Sequence, residues 1–258
     1  MLPTSEFHTY KPAILSLPAD RPLTKEDLLT GDFLMKRSGR LAMYYAPHNE
    51  FVRPDAQVVI VGITPGWTQM KTAFETARAG LLQGLPDDEI VRKAKEAARF
   101  SGSMRRNLIS MLDGLELHRY LGLASSEELF TQGIGSVLHT TSLLRYPVFV
   151  QGKNYTGAQP PLLSDEFLRE TAFAFTKEEL ERQPGALIIP LGKTVEGLLQ
   201  RMEEEGLLGE CGILHGFPHP SGANGHRHKQ FAENREAMMR RLEEKFGRAQ
   251  ITSSGKRR

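Results

Sequence analysis

The chain has 258 residues, 40% of them hydrophobic and 25% charged, with a formal net charge of +2; this suits one α/β domain with its own core and announces no polyanionic partner by charge alone. A single cysteine, Cys211, excludes an intrachain disulfide and a four-cysteine iron–sulfur cluster held by this chain. No apolar run approaches 18 residues and the first residues lack a basic-then-apolar pattern, so neither a membrane span nor a signal peptide is expected, and the cytoplasm is the default compartment.

Residues 1–56 are punctuated by six prolines and carry one predicted helix, opening at Thr24 with Glu26 and Asp27 in its first turn. They read as an N-terminal extension wrapped over the core. Gln57–Val61 is a β-branched run ended by Gly62, the pattern of a buried parallel strand. Helices are predicted around 68–83, 87–100 and 104–115. A second strand is predicted over 137–144, followed by Arg145-Tyr146-Pro147 and a long polar loop to Ser164. The third strand, 186–191, breaks at Gly192-Lys193-Thr194, where a helix with apolar Val195, Leu198, Leu199 and Met202 begins. A short strand at 212–215 and an amphipathic helix over 230–246 close a domain spanning 57–246, and 247–258 is a basic tail ending Lys256-Arg257-Arg258. Strands alternating with helices predict a three-layer α/β/α fold around a central four-stranded, mainly parallel sheet. Ligands of such sheets sit beyond the carboxyl ends of the strands.

Three strand ends carry the residues that matter. Gly62-Ile63-Thr64-Pro65-Gly66 ends the first strand, and His219-Pro220-Ser221-Gly222-Ala223-Asn224 lies about 155 residues later. Between them Leu187–Lys193 is an apolar strand ending in Gly-Lys. In this order the three segments resemble the motifs of the uracil-DNA glycosylase superfamily: Gly-x-(Asp/Asn/Glu)-Pro, an apolar strand with Gly-Lys, and His-Pro-Ser-x-x-Asn. The resemblance covers roughly residues 55–245. It implies a monofunctional, cofactor-free and metal-free DNA base glycosylase, acting as a monomer on single- or double-stranded DNA with a flipped-out nucleotide.

The chemistry such an enzyme needs can be assigned residue by residue. Cleaving an N-glycosidic bond develops an oxocarbenium-like sugar while the base leaves as an anion, which calls for a donor at the base, a placed water and a pocket for the extruded nucleotide. The resemblance makes His219 the donor, with Pro218 and Pro220 stiffening its loop, and Thr64 the residue that positions water. Gly62, Ile63, Pro65, Gly66, Trp67, Phe74, His139, Thr141 and Tyr155 are the candidate base and sugar contacts. Trp67 serves equally well as a core residue, and His139 or Thr140 replaces Thr141 if the register slips. Lys193, Ser221, Gly222, Ala223, Asn224, Arg227 and Lys229 are the candidate DNA contacts. His215, His219, His226 and His228 fall within fourteen residues, and on a strand His226 and His228 would share one face; no carboxylate or cysteine pattern completes a tetrahedral set, so no metal is expected.

Two departures from the superfamily bear on the substrate. Thr64 stands where its members carry a carboxylate or amide; a hydroxyl cannot act as a base near neutral pH but can orient a water. Thr141 stands where an asparagine reads the pyrimidine edge, and discrimination between bases rests on such buried polar pairs. The resemblance with these departures implies excision of a modified or bulkier pyrimidine, such as a hydroxymethylated or glucosylated cytosine in defence against phages, with ordinary uracil excision in repair and a non-catalytic DNA- or nucleotide-binding module as the alternatives.

Overall fold

The computed structural model describes residues 6–54, 56–131 and 137–247. In chain order the elements are α1 (Phe7–Leu15), α2 (Lys25–Leu28), β1 (Leu34–Ser38), β2 (Leu41–Tyr44), a 3-10 turn (Pro47–Asn49), β3 (Val58–Gly62), α3 (Trp67–Leu82), α4 (Asp87–Ala97), α5 (Gly102–Gly114), α6 (Leu117–Tyr120), α7 (Glu128–Thr131), β4 (Leu138–Ser142), β5 (Val148–Val150), β6 (Lys153–Asn154), α8 (Glu166–Leu180), β7 (Leu187–Pro190), α9 (Lys193–Glu204), β8 (Gly212–Ile213) and α10 (Arg227–Phe246).

The strands β4-β3-β7-β8 form the central sheet, parallel throughout. Its residues alternate between two cores, as a two-sided sheet requires. Val58, Ile60, Leu138, Leu187 and Ile189 face Leu108 and Leu112 of α5 and Met238 and Leu242 of α10. Val59, Val61, Ile188 and Ile213 face Met70 and Phe74 of α3, Leu168 and Ala172 of α8, and Val195, Leu198 and Leu199 of α9. The three-layer α/β/α arrangement is thus built on two apolar faces of one sheet, and all three site segments leave it at the same, carboxyl-terminal edge.

A second sheet, β1-β2-β5-β6, is antiparallel throughout and was not anticipated from the sequence. It draws two strands from the proline-punctuated N-terminal stretch and two from the stretch predicted as one long loop. The β1–β2 hairpin turns through Gly39-Arg40, with Gly39 at φ +53°, a conformation glycine adopts at no steric cost. Met43 and Val148 pair directly, which fastens residues about a hundred positions apart. α8, whose N-cap Asp165 accepts from the Leu168 N–H, also arises in the stretch the sequence left unassigned. The final helix starts at Arg227 rather than 230, so His226-Arg227-His228 is a helix start and not a strand. Apart from Gly247, the predicted basic tail lies outside the described residues. Among the described residues no helix is long and apolar enough to cross a membrane.

Candidate functional site

The turn after β3 is closed by its own neighbours. The N–H groups of Leu143 and Leu144 donate to the carbonyls of Gly62 and Ile63 at 2.9 Å each, locking the end of β4 beside the turn. Thr64 donates its hydroxyl to the Tyr146 carbonyl and accepts the Val148 N–H, both at 3.1 Å. The expected water-positioning hydroxyl is therefore occupied in tying the turn to the start of β5. Gly66 caps α3, with the Gln69 side chain accepting its N–H at 3.2 Å, and a Cβ at this position would come within 3.3 Å of the Asn154 amide.

A narrow cleft opens beside this turn, lined by Pro65, Gln69, Thr140, Thr141 and Ser142 and, from the other side, by His48, Asn49, Lys95 and Arg99. His48, Asn49 and Lys95 are only 3%, 7% and 7% exposed. Both ring nitrogens of His48 and the Asn49 amide nitrogen are buried without a partner among the described residues. Burial, then the nearby Lys95 charge, holds His48 well below its ordinary pKa and so neutral. Burial also brings Lys95 down to about 8, against the attraction of Glu179, so it remains largely charged at pH 7.

Behind the cleft lies an ion network. His139 meets Glu179 of α8 at 2.5 Å, and Arg145 donates from Nε to the same carboxylate at 3.0 Å. Burial alone would raise the Glu179 carboxyl, but the His139 hydrogen bond and the charges around it hold it well below the usual range. His139 is itself pushed down by burial, so the pair is best described as carboxylate and neutral imidazole, with Arg145 supplying the positive charge.

The second motif builds a different kind of site. His219 Nδ1 accepts the Ser221 N–H at 3.2 Å. Burial pushes the imidazole below its ordinary pKa, so the neutral ring carries its proton on Nε2 and that nitrogen is a donor. The loop around it is stapled through carbonyls: Asn224 donates to the His219 carbonyl at 3.2 Å, Asn107 to that of Pro220 at 2.8 Å, and Arg227 to that of Ser221 at 2.9 Å. Gly192, at φ +88°, lies so near that a Cβ would stand 3.0 Å from the His219 Cβ. His219 lines a cleft of about 140 Å³ with Lys193, Glu196, Asn224, Gln230 and Asn234.

The structure therefore gathers Pro65 and Thr141 in one cleft, and Lys193, His219 and Asn224 in the other. Gly222 and Ala223 are exposed, Ser221 is half-buried, and Lys229 is exposed on the first turn of α10. Arg227 is turned onto its own loop. Three predicted contacts belong elsewhere. Phe74 is fully buried and packs edge-on against Phe33 and Tyr45, because its helix turns that face to the core. His139 faces α8. Tyr155 is buried, its hydroxyl donating to the Pro160 carbonyl at 2.7 Å. Ile63 packs where a side chain on Gly157 would strike it, at 2.9 Å. Trp67 is half-buried against the main core, and its backbone N–H donates to the Asn154 side-chain oxygen at 3.0 Å. His215, exposed, bonds to Glu196 at 3.1 Å, and His226 and His228 are exposed.

Sequence reasoning missed His48, Asn49, Gln69, Lys95 and Arg99. Tyr44-Tyr45-Ala46-Pro47 ahead of His48-Asn49 was the available signal, since aromatic residues before a proline-led turn suggest a covered turn. Lys95, on a helix rich in charged residues, and Arg99, just beyond its end, carry no local signal that sets them apart from solvated residues.

No protein-family model matches the chain. The crystal structure of wild-type Pedobacter heparinus SMUG2 gives a TM-score of 0.42 at 12% identity, covering 88% of this chain and 96% of that one. The protein named uncharacterized protein YoxB, of Bacillus subtilis (strain 168), is 48% identical over 221 residues, which cover 85% of this chain and 86% of YoxB. With nearly half of the residues shared over most of both chains, this protein belongs to the YoxB family.

Proposed function

We propose that this chain is a DNA base glycosylase that hydrolyses the N-glycosidic bond of a flipped-out, modified pyrimidine. The observation that carries the reading is the state of His219: a neutral imidazole, proton on Nε2, held on a loop stapled at three carbonyls. That is a preorganised donor of the kind a departing base anion requires. The motif order supports the same conclusion, as does the placement of both clefts at the carboxyl-terminal edge of one parallel sheet. In this reading the extruded nucleotide lies across that edge, with Thr141 beside the base, and the exposed Gly222–Gly225 loop meets the strand it came from. Thr141 in place of an asparagine favours a bulkier or modified base over plain uracil.

The test is single-turnover release of base from oligonucleotides containing uracil, hydroxymethylcytosine or glucosylated hydroxymethylcytosine. Abasic product on a modified cytosine, lost in His219→Ala, is expected. Equal or faster release of uracil would overturn the substrate, and no product from any of them would overturn hydrolysis.

A second reading, a DNA-binding module of the same fold that does not cleave, is favoured by one observation. Thr64 has its hydroxyl committed to Tyr146 and Val148, and among the described residues no carboxylate lines the cleft beside it. DNA binding without abasic product would select it.

A further inference from the structure

The cleft beside β4 is unusual in its charge. Among the described residues its lining holds two cations, Lys95 and Arg99, and no carboxylate. No carboxylate of a described residue lies within ion-pairing distance of the Lys95 ammonium; the nearest in effect, Glu179, is already engaged by His139 and Arg145. Arg99 gives one nitrogen to the Phe130 carbonyl at 3.3 Å, and its remaining N–H groups are not used in any further hydrogen bond among the described residues. Around these cations stand the unpartnered Asn49 amide nitrogen and the unpartnered ring nitrogens of His48, all buried.

A buried cation without a counter-charge is costly, and so is each buried donor without an acceptor. Such a cluster is rare in a folded chain unless a ligand completes it. Apart from the one acceptor nitrogen of the neutral His48 ring, what it lacks is acceptors and negative charge. A neutral base edge would satisfy some of the donors but give neither cation an ion-pair partner, since Glu179 and Glu96 act on Lys95 and Arg99 only from beyond ion-pairing distance. An oxyanion supplies both at once, accepting from lysine as a point charge and from arginine and the amide as directed bonds.

We propose that this cleft is an oxyanion site, which receives one phosphate or carboxylate group of the substrate through Lys95, Arg99, Asn49 and His48. The inference names the charge class of what enters the first cleft; it rests on that edge of the sheet being the ligand site, and not on hydrolysis. The oxyanion has two sources in a nucleotide substrate: the sugar phosphate beside the extruded base, or an acidic substituent on the base itself.

The experiment measures binding to the full chain without turnover, by calorimetry at fixed ionic strength. The probes are inorganic phosphate, deoxycytidine 5′-monophosphate, the phosphate-free nucleoside 5-carboxydeoxycytidine, and neutral deoxycytidine. Phosphate is expected to bind saturably, and Lys95→Met to weaken it roughly tenfold or more, the size of one lost charge-assisted bond. The monophosphate binding more tightly than the carboxylated nucleoside places the oxyanion on the sugar phosphate, and the reverse places it on the base. Deoxycytidine binding as well as either anion, or phosphate binding unchanged in Lys95→Met, overturns the proposal. Asn49→Leu serves as the second variant should Lys95→Met fail to fold, with the same expected loss. Failure of base release on every oligonucleotide would strike the glycosylase reading alone, because the phosphate measurement requires no reaction.

Discussion

The ends of β4 and β8 lie on the same edge of one sheet and are built on opposite principles. The β4 end rests on buried charge: His139, Glu179 and Arg145 form a closed network, with Lys95 near it lacking a partner of its own. The β8 end, carrying His219, rests on hydrogen bonds to backbone carbonyls, two from neutral amides and one from Arg227, with no buried ion pair, and one imidazole nitrogen is left as a donor. The difference teaches where each region's specificity resides. Buried charges in a low-dielectric setting fix the sign of whatever enters. Carbonyl staples fix a position and leave its charge neutral.

Breaking the charged end should cost the most. Glu179→Ala leaves His139 without its carboxylate and Arg145 with only the half-buried Glu178, and about 3–5 kcal/mol of stability is expected to go, read by denaturant unfolding. Because the folded Glu179 carboxyl sits below its unfolded value, its contribution is present above the ordinary carboxylate range and is lost as pH falls through and below it. An acid-unfolding curve should therefore flatten in Glu179→Gln over that range, and an unchanged curve would show that the network carries no linked proton.

At the neutral end the largest effect falls on rate. On the glycosylase reading His219→Ala should slow base release by about 10²–10³, with little change in the melting temperature. Gly192→Ala tests the staple itself, since it forces a side chain into a φ of +88° and against His219. A loss of about 1–3 kcal/mol is expected, accompanied by slower release, because the displaced ring no longer meets the base. Stability loss without any rate effect would separate the loop's geometry from its chemistry.

Thr64→Val, the smallest change, decides what the turn between the two ends does. Both hydroxyl hydrogen bonds vanish, and about 1–2 kcal/mol should be lost. If the hydroxyl instead positions water, single-turnover rate falls while stability stays put; the two outcomes are read from the same preparation.

The pH dependence of oxyanion binding sharpens the contrast further. Free Lys95 loses its proton near pH 8, pulled up by Glu179 and pushed down by burial, Arg145 and Arg99, while His48 facing it is already neutral. Above the second ionisation of phosphate, affinity should decline as pH rises through about 8. A flat profile to pH 9 would assign the anion to Arg99 alone.

Much of the fold was legible. The apolar runs at 57–61 and 186–191 predicted strands that the structure places side by side as β3 and β7, and Val195, Leu198, Leu199 and Met202 predicted the buried face of α9. The second sheet was not legible, because β5 and β6 are three and two residues long, and β5, on which β6 pairs, itself pairs with β2 about a hundred residues away. Phe74 and Tyr155 were misplaced for a related reason: an aromatic ring reads alike in sequence whether it fills a core or faces a ligand.

The sequence by itself determined the alternation of strands and helices and the turns that end them, since hydrophobic spacing and glycine or proline punctuation act over a few residues. It also marked His219, whose neighbouring prolines are part of its loop. Tertiary structure alone decided that Thr64 is held by Tyr146 and Val148, and that His48, Asn49, Lys95 and Arg99 share one cleft with the end of β4. Whether a buried polar group has a partner depends on segments far apart in the chain, and no local pattern records it.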